Sequence, residues 1–162
     1  MTTQISIPQQ ALRVIETAPF TALTTTIRAT LPTLTDQAIP AGAQLRHEAA
    51  QLGLDATVPT QWLYTGVNGD PANEFQLDIA LPIADANVTP AAGFALQNVP
   101  AFRCATYTYT GPWSDFGDLY DQLFAQFYRD GHKNNGLVRE IYAVVDFTNP
   151  PNCITEIQIG IV

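Results

Sequence analysis

Residues 131–159, GHKNNGLVREIYAVVDFTNPPNCITEIQI, align without a gap against residues 53–81, GLDATVPTQWLYTGVNGDPANEFQLDIAL, at one constant shift, 131 − 53 = 78. Gly53 falls on Gly131, Tyr64 on Tyr142, Val67 on Val145, Asp78 on Glu156 and Ile79 on Ile157. Identities are few, but the turn glycine, the aromatic and the acid keep register together. Upstream, Pro19-Phe20-Thr21-Ala22 parallels Ala101-Phe102-Arg103-Cys104 at a shift of 101 − 19 = 82. The difference, 82 − 78 = 4, places four extra residues in the helical part of the first copy. The chain therefore reads as one domain over 1–162, with repeat one at about 12–88 and repeat two at about 94–162.

Each copy reads strand, helix, strand, strand. In the second, Phe102 to Thr110 is rich in β-branched and aromatic residues and stops at Gly111-Pro112, a turn signal. Phe116, Leu119, Tyr120, Leu123, Phe124 and Phe127 then recur with the period of one broad helix face. Ser114 is the expected N-cap, and Gly131 the expected left-handed stop. Two alternating strands follow, Arg139 to Phe147 and Cys153 to Ile161, around the turn Asn149-Pro150-Pro151-Asn152. The first copy repeats this with a weaker helix at about Ile39 to Leu52, Pro40 in its first turn, then strands Gln61 to Val67 and Phe75 to Leu81. The expected fold is α+β, two pseudo-symmetric β-α-β-β repeats with antiparallel sheets. Each sheet gives an apolar face to its helix, Ile141, Ala143, Val145 and Phe147 in the second copy. A mixed face of aromatics and acids meets the other half across a pseudo-twofold cleft.

Composition narrows the partners. Acids outnumber bases 15 to 7, giving a net charge of −8, the wrong sign for a phosphate backbone. No apolar run approaches a membrane span, and Met1 to Gln10 lack the basic start and apolar stretch of a leader. Cys104 and Cys153 sit in strand-like runs and read as small buried hydrophobes rather than as a disulfide framework. The expectation is a cytoplasmic protein that binds neither nucleic acid nor membrane directly. His47 and His132 have no spaced partner, so no metal site is expected. No phosphate loop or nucleophile elbow occurs, and no cofactor is implied.

Period-two geometry puts Glu140 and Tyr142 on one strand face, with Trp62 and Tyr64 in the equivalent places of the other copy. Across the pseudo-axis the carboxylate would face a tryptophan. Tyr107 and Tyr109 share a face of the neighbouring strand, and Trp113 stands at the strand-to-helix turn. An acid ringed by aromatics suits a lipophilic cation through Coulomb attraction and cation–π contact. Desolvation would raise its pKa, which also suits a general acid or base. Ordinary structural roles compete: a solvated Glu140, half-buried strand tyrosines, and core tryptophans. Asp78 and Glu156 occur in both copies, which favours a structural role for them.

Gly111-Pro112-Trp113, the long helix, Arg139-Glu140-Ile141-Tyr142, Thr155-Glu156-Ile157 and the Thr89-Pro90-Ala91-Ala92-Gly93 entry to the second copy resemble the gyrase-inhibitor-like (GyrI-like) small-molecule-binding family. That family includes the effector domains of multidrug-sensing and AraC-type regulators. The resemblance implies a duplicated fold shared with SOUL-type proteins and a pocket between the halves. It implies a pocket-floor role for Glu140, with Tyr142 beside it, and a ligand-binding set completed by Trp62, Tyr64, Tyr107 and Trp113. A subgroup resembles hydrolases of strained electrophiles, in which Glu140 would be the catalytic residue. Many relatives carry a helix-turn-helix ahead of the pocket; about ten residues precede the first expected strand here, so no DNA reading is expected.

The leading expectation is a stand-alone module that binds an amphipathic, aromatic small molecule, with cationic ligands among the candidates. A hydrolase with a pocket Glu is the second reading, and a protein-interaction or inhibitor module the third, which leaves room for a protein partner. Haem binding is a distant fourth.

Overall fold

The computed structural model describes residues 12–84 and 87–162. The segment Met1 to Gln10, read above for a leader, lies outside them. Among the described residues, eight strands and two α-helices carry the architecture: β1 (Arg13–Thr17), β2 (Phe20–Ala29), α1 (Leu34–Gln51), β3 (Gln61–Thr65), β4 (Phe75–Ile83), β5 (Ala95–Val99), β6 (Phe102–Thr110), α2 (Phe116–Arg129), β7 (Asn134–Val144) and β8 (Ile154–Ile161). The strands form one curled antiparallel sheet in the order β1-β6-β8-β7-β3-β4-β2-β5.

The order reads as two halves joined at β7 and β3. Trp62 pairs with Glu140 across that seam, and these are the positions that the shift of 78 makes equivalent. The local twofold axis therefore passes between them. Each half also borrows a strand. β1 pairs with β6, Arg13 opposite Thr106, while β5 pairs with β2, Ala95 opposite Thr24. The expected four-element repeat thus omits its leading strand, and the two repeats exchange those strands at the sheet edges.

Both helices lie on one face of the sheet. Alpha1 buries Ala38, Leu45 and Ala49 against Leu23, Phe75, Leu77, Ile79 and Leu81. Alpha2 buries Leu119, Leu123 and Phe127 against Ala105, Ile157 and Ile159. Each of the Leu, Ile and Phe side chains contributes about 1.5–3 kcal/mol when removed from water, and the alanines less. The helix side of β7 carries Val138, Glu140 and Tyr142, because their cross-strand partners Ile159, Ile157 and Thr155 belong to it. The expected division of β7 is therefore inverted. Ile141 and Ala143 point away from the helices, Val145 is exposed, and Phe147 is 72% exposed. Alternation alone cannot say which face of a strand meets the helix.

The helix ends also differ from expectation. Alpha1 begins at Leu34, five residues before Ile39, after a 3-10 turn at Leu31–Thr33. Thr30 and Thr33 cap each other there, and Pro40 lies inside the helix rather than in its first turn. Ser114 is not the cap of α2: it sits in the 3-10 turn Trp113–Asp115, and Asp115 occupies the N-cap position. Asp115 accepts the Tyr109 hydroxyl at 2.5 Å, tying the helix start to β6. Gly131 ends α2 as expected, at φ 85°. Cys104 and Cys153 are free and buried. No described helix is long and apolar enough to cross a membrane.

Candidate functional site

One row of side chains crosses the concave face: Tyr107, Ile157, Glu140, Trp62, Ile79 and Thr25 are successive partners on β6, β8, β7, β3, β4 and β2. The centre of this row is left uncovered by the two helices. A cavity of about 860 Å3 opens there, floored by Trp62, Tyr64, Val138, Glu140 and Tyr142. Alpha1 and its entry supply Leu31, Leu34 and Ile39; α2 supplies Phe116, Tyr120, Phe124 and Tyr128. That size suits a drug-sized molecule.

Glu140 is 3% exposed at the cavity floor. Its carboxylate accepts three phenolic hydroxyls. Tyr64 donates to Oε1 at 2.8 Å, Tyr142 to Oε1 at 2.5 Å, and Tyr120 to Oε2 at 2.5 Å. Burial pushes the Glu140 carboxyl above its ordinary range, and the three donors pull in the opposite direction without cancelling it. Burial, and then repulsion from Glu140, pushes all three hydroxyls well above the usual tyrosine range. They stay protonated as donors at any physiological pH. The one ion pair found among the described residues is the exposed Arg28–Glu74 pair, so Glu140 has no cationic side chain to pair with.

The aromatic surround is ordered by ring contacts. Tyr142 is flanked by Trp62, edge-on at 5.1 Å, and by Trp113 at 5.3 Å. Trp113 is held by its Nε1–H donating to Thr155 Oγ1 at 3.3 Å and by an edge contact with Phe147 at 5.7 Å. Gly111 permits this turn: a Cβ there would lie 2.7 Å from the Tyr109 ring.

Five of the six expected site residues, Glu140, Tyr142, Trp62, Tyr64 and Trp113, line the cavity. Tyr107 does not. It shares the row with Glu140 but stands two strands away, where it packs into the core beneath α2. Sequence reasoning missed Tyr120, which it placed on the helix's apolar face. The available signal was a hydroxyl in a stripe otherwise made of Phe and Leu, since a buried phenol needs a partner. It also missed α1, whose aliphatic residues carry no chemical motif.

A curled antiparallel sheet with paired helices flanking a carboxylate-floored cleft defines a binding domain built by internal duplication. The family model for the GyrI-like small molecule binding domain matches residues 13–162, and the chain belongs to that family. No curated protein sequence matches it. Among solved structures, the EcmrR C-terminal domain superposes with a TM-score of 0.74 at 18% identity, covering 93% of this chain and 96% of that one. In the EcmrR–DNA complex the same likeness spans 57% of the longer EcmrR chain, with a TM-score of 0.73, 17% identity and 93% of this chain covered. SAV2435 bound to tetraphenylphosphonium has a TM-score of 0.62 at 13% identity, with 94% of each chain covered. A hydrolase encoded by lin2189 from Listeria innocua has a TM-score of 0.59 at 12% identity, covering 96% of this chain and 93% of that one. These likenesses establish the fold.

Proposed function

We propose that this domain binds lipophilic aromatic cations, with Glu140 as counter-charge and Trp62, Tyr64, Trp113, Tyr120 and Tyr142 as the apolar and cation–π surface. The observation that carries the reading is a buried carboxylate facing a cavity with three hydroxyl donors and, among the described residues, no basic partner. An ionised group so placed is costly unless a positive charge arrives. The tetraphenylphosphonium held by SAV2435, a protein of the same fold, supports the choice of ligand class.

The test is equilibrium titration with tetraphenylphosphonium, followed by the fluorescence of Trp62 and Trp113. Removing the charge in Glu140→Gln should weaken binding by about 30-fold, roughly 2 kcal/mol. Unchanged affinity in that variant refutes the reading.

The hydrolytic alternative has one point in its favour. A carboxylate offers about four lone-pair sites, and the three tyrosines occupy three of them. One site could accept a proton from water, as a raised pKa would favour. Turnover of a strained electrophile that disappears in Glu140→Gln distinguishes catalysis from binding.

A further inference from the structure

The two walls of the cleft differ in chemistry. On α2, Tyr120, Phe124 and Tyr128 recur every four residues and stack nearly parallel. Their centroids are 6.2 and 6.1 Å apart, with interplanar angles of 28° and 29°. The inner ring, Tyr120, is bonded to Glu140. The outer ring, Tyr128, is 56% exposed and still lines the cavity. Asp121 precedes Tyr128 by seven residues and so lies on the same line of the helix, also lining the cavity. The opposite wall, Leu31, Leu34 and Ile39, is aliphatic, and among the described residues no Lys, Arg or His lines the cavity. The charged side chains that line the cavity, Asp118 and Asp121 on α2 and Glu140 at the floor, are all acidic.

We propose that Phe124, Tyr128 and Asp121 form a second cation subsite at the cleft mouth, selecting elongated ligands with two cationic aromatic ends. The proposal rests on the reading of Glu140 as the inner counter-charge. From Tyr120 to Tyr128 is about 12 Å along the helix axis, which sets the separation between the two charged ends. The outer end stacks on an exposed ring with a carboxylate alongside, and both features favour a cation over a neutral group. The aliphatic wall accommodates the linker.

Two probes test this: an alkyl-linked bis-quinolinium whose nitrogens can span about 12 Å, and a quinolinium carrying the same chain without the second ring. The bis-cation should bind the unaltered protein about tenfold more tightly or better. Tyr128→Ala and Asp121→Asn should each bring that ratio toward unity, weakening the bis-cation more than the mono-cation. Both positions are exposed on α2, and circular dichroism checks that the helix persists; Tyr128→Leu repeats the test with an apolar side chain lacking a ring. Equal affinity of the two probes for the unaltered protein, or a ratio that survives both substitutions, overturns the second subsite. The mono-cation binding Glu140→Gln as well as it binds the unaltered protein would instead remove the inner counter-charge, and the proposed function with it.

Discussion

The two repeats build matching frames and fill them differently. Tyr64 and Tyr142 are equivalent by the shift of 78, and both hydroxyls reach the same oxygen, Oε1 of Glu140. Duplication around the seam thus delivers a symmetric pair of donors to one point. The acceptor is not symmetric: where repeat two has Glu140, repeat one has Trp62. The third donor is not symmetric either. Tyr120 is the fifth residue of α2, and the fifth residue of α1 is the fully buried Ala38. A symmetric frame fixes the positions, and departures from symmetry at single residues create the charge, its third tether and an aromatic wall on one side only.

The largest expected effects lie in the shared frame. Phe127→Ala and Leu45→Ala each empty a fully buried site beneath one helix. Each should lower unfolding free energy by about 3–5 kcal/mol in urea titrations. Losses of similar size would support equal roles for the two helices. A Leu45→Ala variant that unfolds only locally would break the comparison.

A smaller effect separates the tyrosines. A cation needs the ionised carboxylate, so affinity should fall as pH drops through the Glu140 pKa, which burial places above the usual glutamate range. Removing one donor withdraws support from the ionised form. The pH midpoint of tetraphenylphosphonium binding should therefore move upward, by about one unit, in Tyr64→Phe, Tyr142→Phe or Tyr120→Phe. Tyr64→Phe and Tyr142→Phe should match, because they act on the same oxygen. A downward shift would mean that these hydroxyls do not stabilise the carboxylate.

Much of this was legible in the chain. The constant register between 53–81 and 131–159 gave the duplication, and period two put Glu140 opposite Trp62, as the pairing shows. The exchanged strands β1 and β5 were not legible, because their sequences, RVIET and ALQNV, carry no pattern stronger than their surroundings and pair with the distant repeat. The facing of β7 was misread because its outward side, Ile141 to Phe147, is more hydrophobic than its cleft side. A binding cleft reverses the usual rule that the greasier face is buried. Tyr120 was hidden by the same logic, as one more apolar position on a helix.

The smallest expected effect concerns the outward face, where the acids of the two repeats have kept parallel roles. Asp78 accepts the Thr26 hydroxyl at 2.5 Å and the Gln76 amide at 3.4 Å. Glu156 accepts the Thr106 hydroxyl at 2.8 Å and the Gln158 amide at 2.7 Å. In each repeat, then, the acid is tied by a threonine of the adjacent strand and by a glutamine two residues away on its own strand. Neither acid lines the cavity. Replacing the threonine by valine removes one hydrogen bond to a charged group that keeps its other partner and some solvent. The cost should be about 0.5–1 kcal/mol in Thr26→Val and in Thr106→Val, with cation affinity untouched in both. Thr106 is less exposed than Thr26, so any inequality should fall on the Thr106 side. A change in cation affinity from either substitution would show that the outward acids act on the cleft, and the contrast between a shared frame and an asymmetric site would then no longer hold.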